Sequence, residues 1–164
     1  MTAAVRRGPA TPAEVLAPLP MAERTLARLV EARAVTAGGH VVAEVAGEPL
    51  TWVDLERRSA GLAGSLHALD VRRGDVVCQV AGNTAEHVVT LFALARLGAV
   101  ECPVNTGLRG APLRHVLAHS GARAIVADAE HLERLAPEVD GTGLEVAVVR
   151  GDAAGALGRL RTLP

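Results

Sequence analysis

Between Asp75 and Val149 the sequence repeats one pattern: a short apolar run, a longer amphipathic stretch, then another apolar run. The runs are Asp75–Val80, Ala99–Val104, Ala122–Ala127 and Leu144–Val149. A strand with one wet face alternates apolar and polar residues. A strand that is apolar at consecutive positions must be covered on both faces. Between the runs lie Ala85–Leu97, Ala111–His119 and Glu130–Ala136, each read as a helix, with Gly98 and Ser120-Gly121 as stops. Strands alternating with helices define a parallel sheet, because parallel neighbours need a crossover that a helix supplies. The predicted fold is therefore α/β, a parallel sheet with helices on both faces and right-handed connections.

The chain before this region reads differently. Residues 1–20 carry Pro9, Pro12, Pro18 and Pro20 among alanines and are read as a loosely ordered lead-in. Met21–Ala37 places Leu26, Leu29, Val30 and Ala34 on one helical face and charges on the other, and Gly38-Gly39 ends it. His40–Val45 and Pro49–Trp52 flank a tight turn and form a short N-terminal hairpin. Thr51, with Asp54 three residues on, is an N-cap for a helix reaching about Leu69, with Leu55, Leu62, Leu66 and Leu69 as its buried stripe. Residues 151–164 are rich in Gly and Ala and weakly periodic. The expected organisation is a lead-in over 1–20, one unit over 21–150, and a tail over 151–164.

Composition excludes several classes of function. The net charge is −1, with 17 basic and 18 acidic residues, so nothing marks a nucleic-acid or anionic-membrane surface. One Trp, one Phe and no Tyr leave no stacking platform for single strands. Cys78 and Cys102 sit in apolar runs without zinc or redox spacing and read as packed thiols. With no disulfide framework, no apolar signal core and no run long enough to span a bilayer, the expected location is the cytoplasm.

The motifs that could carry chemistry fall short one by one. Gly82-Asn83-Thr84 joins a strand to a helix, the place where phosphate-binding turns occur, but it has one glycine where a dinucleotide fingerprint needs three. Gly151–Gly155 lacks the Lys and Ser/Thr of a P-loop. His115 and His119 have metal-ligand spacing, yet Val116 stands where a zincin has Glu, and no third ligand follows. Asp54, Glu56, Arg57 and Arg58 open a helix, where the acids suit its dipole. No Ser-His-Asp, Cys-His or GxSxG arrangement is present. All 17 basic residues are Arg, and the chain has no Lys. No catalytic, cofactor-binding or metal residue is assigned.

Three blocks in order carry a resemblance: LTWVDLERRSAGLA at 50–63; LDVRRGDVV at 69–77 with GNTAEH at 82–87 and LGAV at 97–100; and PVNTGLRG at 103–110 with LRHVLAHSGAR at 113–123. Together they resemble the start of the large domain of AMP-forming acyl-CoA synthetases, the adenylate-forming ligase superfamily. The NTGLRG block is most similar to the crotonobetaine/carnitine-CoA ligase and fatty-acid-transport-type branch.

The resemblance implies the N-terminal subdomain of that fold, with scaffold roles for Thr51, Gly74, Asp75, Gly98 and Asn105. It implies an enzyme that uses ATP, Mg and CoA to turn a carboxylate into an acyl-adenylate and then a thioester. The phosphate loop, the ribose-binding Asp and the catalytic Lys of that family match no stretch here. A chain without Lys cannot supply a flexible ammonium to a developing negative charge. The expectation is a catalytically incomplete portion whose partner is the remainder of the synthetase, from the same or an adjacent gene. A free-standing, non-catalytic interaction or acyl-binding module stays open, as does a small self-sufficient nucleotide binder.

Overall fold

A computed structural model describes residues 11–151, 157 and 160–163. A five-stranded, all-parallel sheet forms its centre, in the order Val100–Pro103, Val76–Val80, Ala122–Asp128, Val146–Arg150, Arg161–Leu163, with a separate two-stranded hairpin near the start.

The N-terminal layer is set by caps. A helical turn, α1 (Pro12–Leu16), opens with a full capping box between Thr11 and Glu14. This turn lies within the stretch read as a loose lead-in, whose residues 1–10 are outside the described residues, and the Thr-x-x-Glu pattern at 11–14 sets it. The next helix, α2, runs Leu26–Ala37 and not from Met21. Met21–Glu23 is a separate 3-10 turn, and the Thr25 hydroxyl accepts from the Arg28 N–H, fixing the later start. The hairpin is β1 (Val41–Val45) and β2 (Glu48–Thr51), closed by Ala46 at φ 53° and Gly47 at φ 80°. Two positive φ values define the turn whose twist matches the strands. Thr51 caps α3 (Trp52–Ala68) as expected, accepting from the Asp54 N–H at 3.2 Å.

The alternating region follows the sequence closely: β3 (Val76–Val80), α4 (Ala85–Leu97), β4 (Val100–Pro103), α5 (Gly110–His119), β5 (Ala122–Asp128), α6 (Leu132–Leu135) and β6 (Val146–Arg150). Arg161–Leu163, within the stretch read as a weakly periodic tail, forms a further strand, β7, parallel to β6. Three residues are too few for periodicity to reveal; register with Val146–Val148 creates the strand.

Both sheet faces are covered. On one, Leu66 and Leu69 of the α3 end and Leu94 of α4 pack on Val77, Ala124, Val126, Val146 and Val148. On the other, Leu113, Leu117 and Leu135 pack on Cys78, Val80, Ile125, Ala127 and Ala147. Alternate residues of each strand supply the two faces, which is why the strands read as continuous apolar runs. Burying each such Leu contributes about 1.5–3 kcal/mol before entropy is counted. Val30, Leu50, Leu55 and Val89 tie α2 and the hairpin to α3 and α4.

Candidate functional site

The strand order decides where a ligand can sit. From β3 the chain moves to β4 on one side, then crosses back to β5 on the other. Loops leaving β3 and β5 therefore diverge and open a crevice at the carboxyl ends of these neighbours, the place where doubly wound sheets bind ligands. Its walls are Ala81–Thr84 and Asp128–His131.

That crevice is filled from within. The Gly82 N–H donates to Asp128 Oδ2 at 3.2 Å. Arg150 Nε donates to Asp128 Oδ1 at 2.9 Å, and its Nη2 lies 2.7 Å from the same oxygen. Arg150 Nη1 donates to Thr90 Oγ1 at 3.0 Å, tying the pair to α4. A carboxylate thus holds the backbone N–H that a phosphate would use, and a second anion there would meet its charge at close range. The self-sufficient nucleotide binder that the sequence left open has no support from this crevice.

Asp128, Glu130 and His131 bring their ligand atoms within 4.8 Å of one another. They do not fit a divalent cation such as Mg. Arg150 already neutralises Asp128, and a cation there would sit against the guanidinium.

Beside the crevice, on the α5–α6 face, lies an open polar pocket of about 690 Å³ lined by Thr106, Arg109, Glu130, His131, Glu133 and Arg134. Arg134 Nη1 donates to the Thr106 carbonyl oxygen. Arg109 Nη1 donates to the same oxygen at 2.7 Å and to the Leu108 oxygen at 2.8 Å. Burial, then the neighbouring Arg109, lowers the Arg134 pKa. Burial, then Arg134, holds the His131 imidazole below its ordinary value. A second pocket, of about 330 Å³, lies over the ends of β3 and β4, between His87, Asn83, Pro103 and Asn105. Beneath it Glu101 Oε1 stands 4.0 Å from His87 Nε2, and burial raises the Glu101 pKa.

Of the residues weighed in the sequence, Asn83 and Asn105 line the second pocket, and the others lie apart from the pockets or in plain structural roles. His115 and His119 stack at 4.0 Å between ring centroids on α5, and His119 Nδ1 contacts the His115 oxygen at 3.0 Å. Cys78 and Cys102 are register partners on β3 and β4, both free thiols. Asp54 is engaged by Thr51. Of the candidate turn, Gly82 reaches the crevice, bound to Asp128. Sequence reasoning singled out none of Arg109, His131, Arg134 and Asp128 as site residues. Asp128, His131 and Arg134 follow one another from the end of β5 into α6, Arg109 comes from the β4–α5 loop, and only the 4-3-5 strand order brings the two segments together.

Comparison with known proteins places this arrangement. Residues 23–160 match the family model described as AMP-binding enzyme, and the chain belongs to that family. It is 41% identical over 108 residues to a feruloyl-CoA synthase of an Amycolatopsis species, a match covering 66% of this chain and 22% of that protein. It is 35% identical over 89 residues to a peroxisomal trans-cinnamate:CoA ligase of Petunia hybrida, covering 54% of this chain and 16% of that one. Among solved structures it superposes on a protein described as a long-chain-fatty-acid CoA ligase from Rhodopseudomonas palustris, with TM-score 0.75 and 27% identity over 84% of this chain and 35% of that one. An anthranilate CoA ligase in complex with anthranoyl-AMP shares the fold, with TM-score 0.72 at 22% identity, covering 85% of this chain and 27% of that one. The chain spans about a fifth (22%) of the length of the feruloyl-CoA synthase relatives.

Proposed function

We propose that this chain supplies the N-terminal subdomain of an ATP-dependent, AMP-forming acyl-CoA ligase and cannot complete adenylation by itself. The observation that carries this reading is the occupied crevice: Asp128, Arg150 and the Gly82 N–H satisfy one another where a free-standing α/β nucleotide binder would hold phosphate. The absence of Lys from the chain supports it, since no flexible ammonium is available to the developing charge. On this reading the sheet and its two helical layers are a platform. ATP, Mg and CoA are handled by the rest of the synthetase, which is the chain's partner, and the location is cytoplasmic. Among the described residues no helix is long and apolar enough to cross a membrane.

The test is ATP–pyrophosphate exchange by the purified chain, offered ferulic, cinnamic and long-chain fatty acids in turn. Exchange at background with every acid is the expected result. Exchange above background that survives repurification overturns the proposal.

A further inference from the structure

We propose that Cys78 and Cys102 form a reversible oxidation site, in which a hydroperoxide converts the two thiols into one disulfide that ties edge strand β4 to β3.

The first support is register. Cys78 of β3 and Cys102 of β4 are direct partners in the parallel pairing, between Val77↔Glu101 and Gln79↔Pro103. Neighbouring strands lie about 4.7–4.9 Å apart. That spacing falls inside the roughly 4.4–6.8 Å between Cα atoms that a disulfide spans. Side chains at matched positions of a parallel pair leave the sheet on the same face. Cys78 belongs to the core cluster of Leu113 and Leu117, and Cys102 packs against that same cluster. The two thiols therefore sit side by side. The chain has only these two cysteines, so no other internal pairing competes.

The second support is the place of β4 in the sheet. It lies at the edge and pairs only with β3. A strand held on one flank can draw toward its neighbour as the sulfurs bond. A central strand is held from both sides.

The two cysteines differ in reach, and this sets the order of events. Cys78 is fully buried, whereas Cys102 is half-buried at the sheet edge. Peroxide therefore meets Cys102 first. The Cys102 sulfur attacks one peroxide oxygen and the O–O bond breaks. Cys102 becomes a sulfenic acid, and the other oxygen leaves as water or an alcohol. The Cys78 sulfur then attacks the Cys102 sulfur and the S–O bond breaks. The hydroxyl leaves with the Cys78 proton as water. Two thiols are oxidised and one peroxide is reduced. Burial keeps the Cys78 thiol protonated. Its position beside the sulfenic acid offsets the scarcity of thiolate, because the attack is intramolecular.

The bond closes a loop that contains all of α4. It also fixes the strand that leads into residues 103–106, which line the second pocket. In a reducing compartment such a bond is transient, as a redox-sensing disulfide is. The inference concerns the chain's own thiols and stands apart from the adenylation reading.

The experiment is treatment of the full chain with hydrogen peroxide, then alkylation in guanidinium and peptide mass spectrometry. Cleavage at arginine puts the cysteines on separate peptides, residues 74–96 and 97–109. The expected product is a monomer two hydrogens lighter with those peptides joined, and dithiothreitol returns both thiols. In Cys78→Ala, dimedone captures the Cys102 sulfenic acid at least about tenfold more than in the unaltered chain, because no thiol resolves it. Cys102→Ser, a change at the half-buried edge, leaves Cys78 reduced under the same peroxide. This second variant keeps the test decisive even where Cys78→Ala does not fold. Cysteines that stay unlinked, Cys102 passing to sulfinic acid beside a free Cys78, a disulfide between two copies, or oxidation of Cys78 in Cys102→Ser each overturns the proposal.

Discussion

Asp128 and Gly82 meet across the mouth of the sheet, 46 residues apart in sequence, with the Gly82 N–H donating to the Asp128 carboxylate at 3.2 Å. The contact closes the crevice between β3 and β5 that the strand order opens. Replacing Asp128 by Ala leaves Arg150 charged and largely buried, with Thr90 as its remaining side-chain partner. The expected cost is about 3 kcal/mol, read as a lower urea midpoint. The double variant Asp128→Ala/Arg150→Met recovers much of it, because the orphaned charge is gone.

Gly98 ends α4 at φ +67°, and its carbonyl oxygen accepts from the Gly74 N–H at 2.9 Å. A methyl group there would meet Arg73 Cγ at 3.1 Å. Gly98→Ala therefore costs about 1–2 kcal/mol from the left-handed backbone alone. Gly64→Ala, in mid-α3 with open space around it, stabilises by up to about 1 kcal/mol. Chemical denaturation of the two variants gives opposite signs.

Glu101 makes stability depend on pH. Burial raises its carboxyl pKa above the ordinary 4.5, with His87 opposing the shift. The folded chain thus binds this proton more tightly than the unfolded chain does. The resulting stability is fully present below pH 4.5 and is lost as pH rises through the higher folded value. Glu101→Gln removes this dependence and is more stable than wild type at pH 7. A denaturation series from pH 4 to 8 on both proteins measures it.

Cys78 is chemically quiet. Burial pushes its thiol up to about 12, and the Ser120 hydroxyl at 3.5 Å only partly opposes this. Thiolate is the reactive form, so at pH 8 iodoacetamide leaves Cys78 unmodified in the folded chain and labels it in guanidinium. Peptide mass spectrometry resolves it from the half-buried Cys102.

Elements with strong local terminators were legible from sequence. The predicted bounds of α4 match the structure because Gly98 supplies the left-handed stop, and the α3 start was fixed by Thr51. The double-faced strands were readable because Cys78, Val80, Ile125 and Ala127 line one face while Val77, Ala124 and Val126 line the other. Strand β7 and the arginine pocket were not legible, for one reason. Arg161–Leu163 becomes a strand only beside Val146–Val148, and Arg109 meets Arg134 only through the sheet order. Neither relation leaves a local trace. At α2 the apolar spacing starts only at Leu26, and the Thr25 cap, not Met21, marks the start of the helix.

The position of β3 has a kinetic consequence. One flank pairs with β4, but the other waits for β5, whose last residue is Asp128. During synthesis β3 therefore stays half-zipped while the intervening α4, β4 and α5 emerge from the ribosome. Closing that long loop is the slow, non-local step. Until it closes, the bare edge of Val76–Val80 is the segment most open to pairing with another nascent chain.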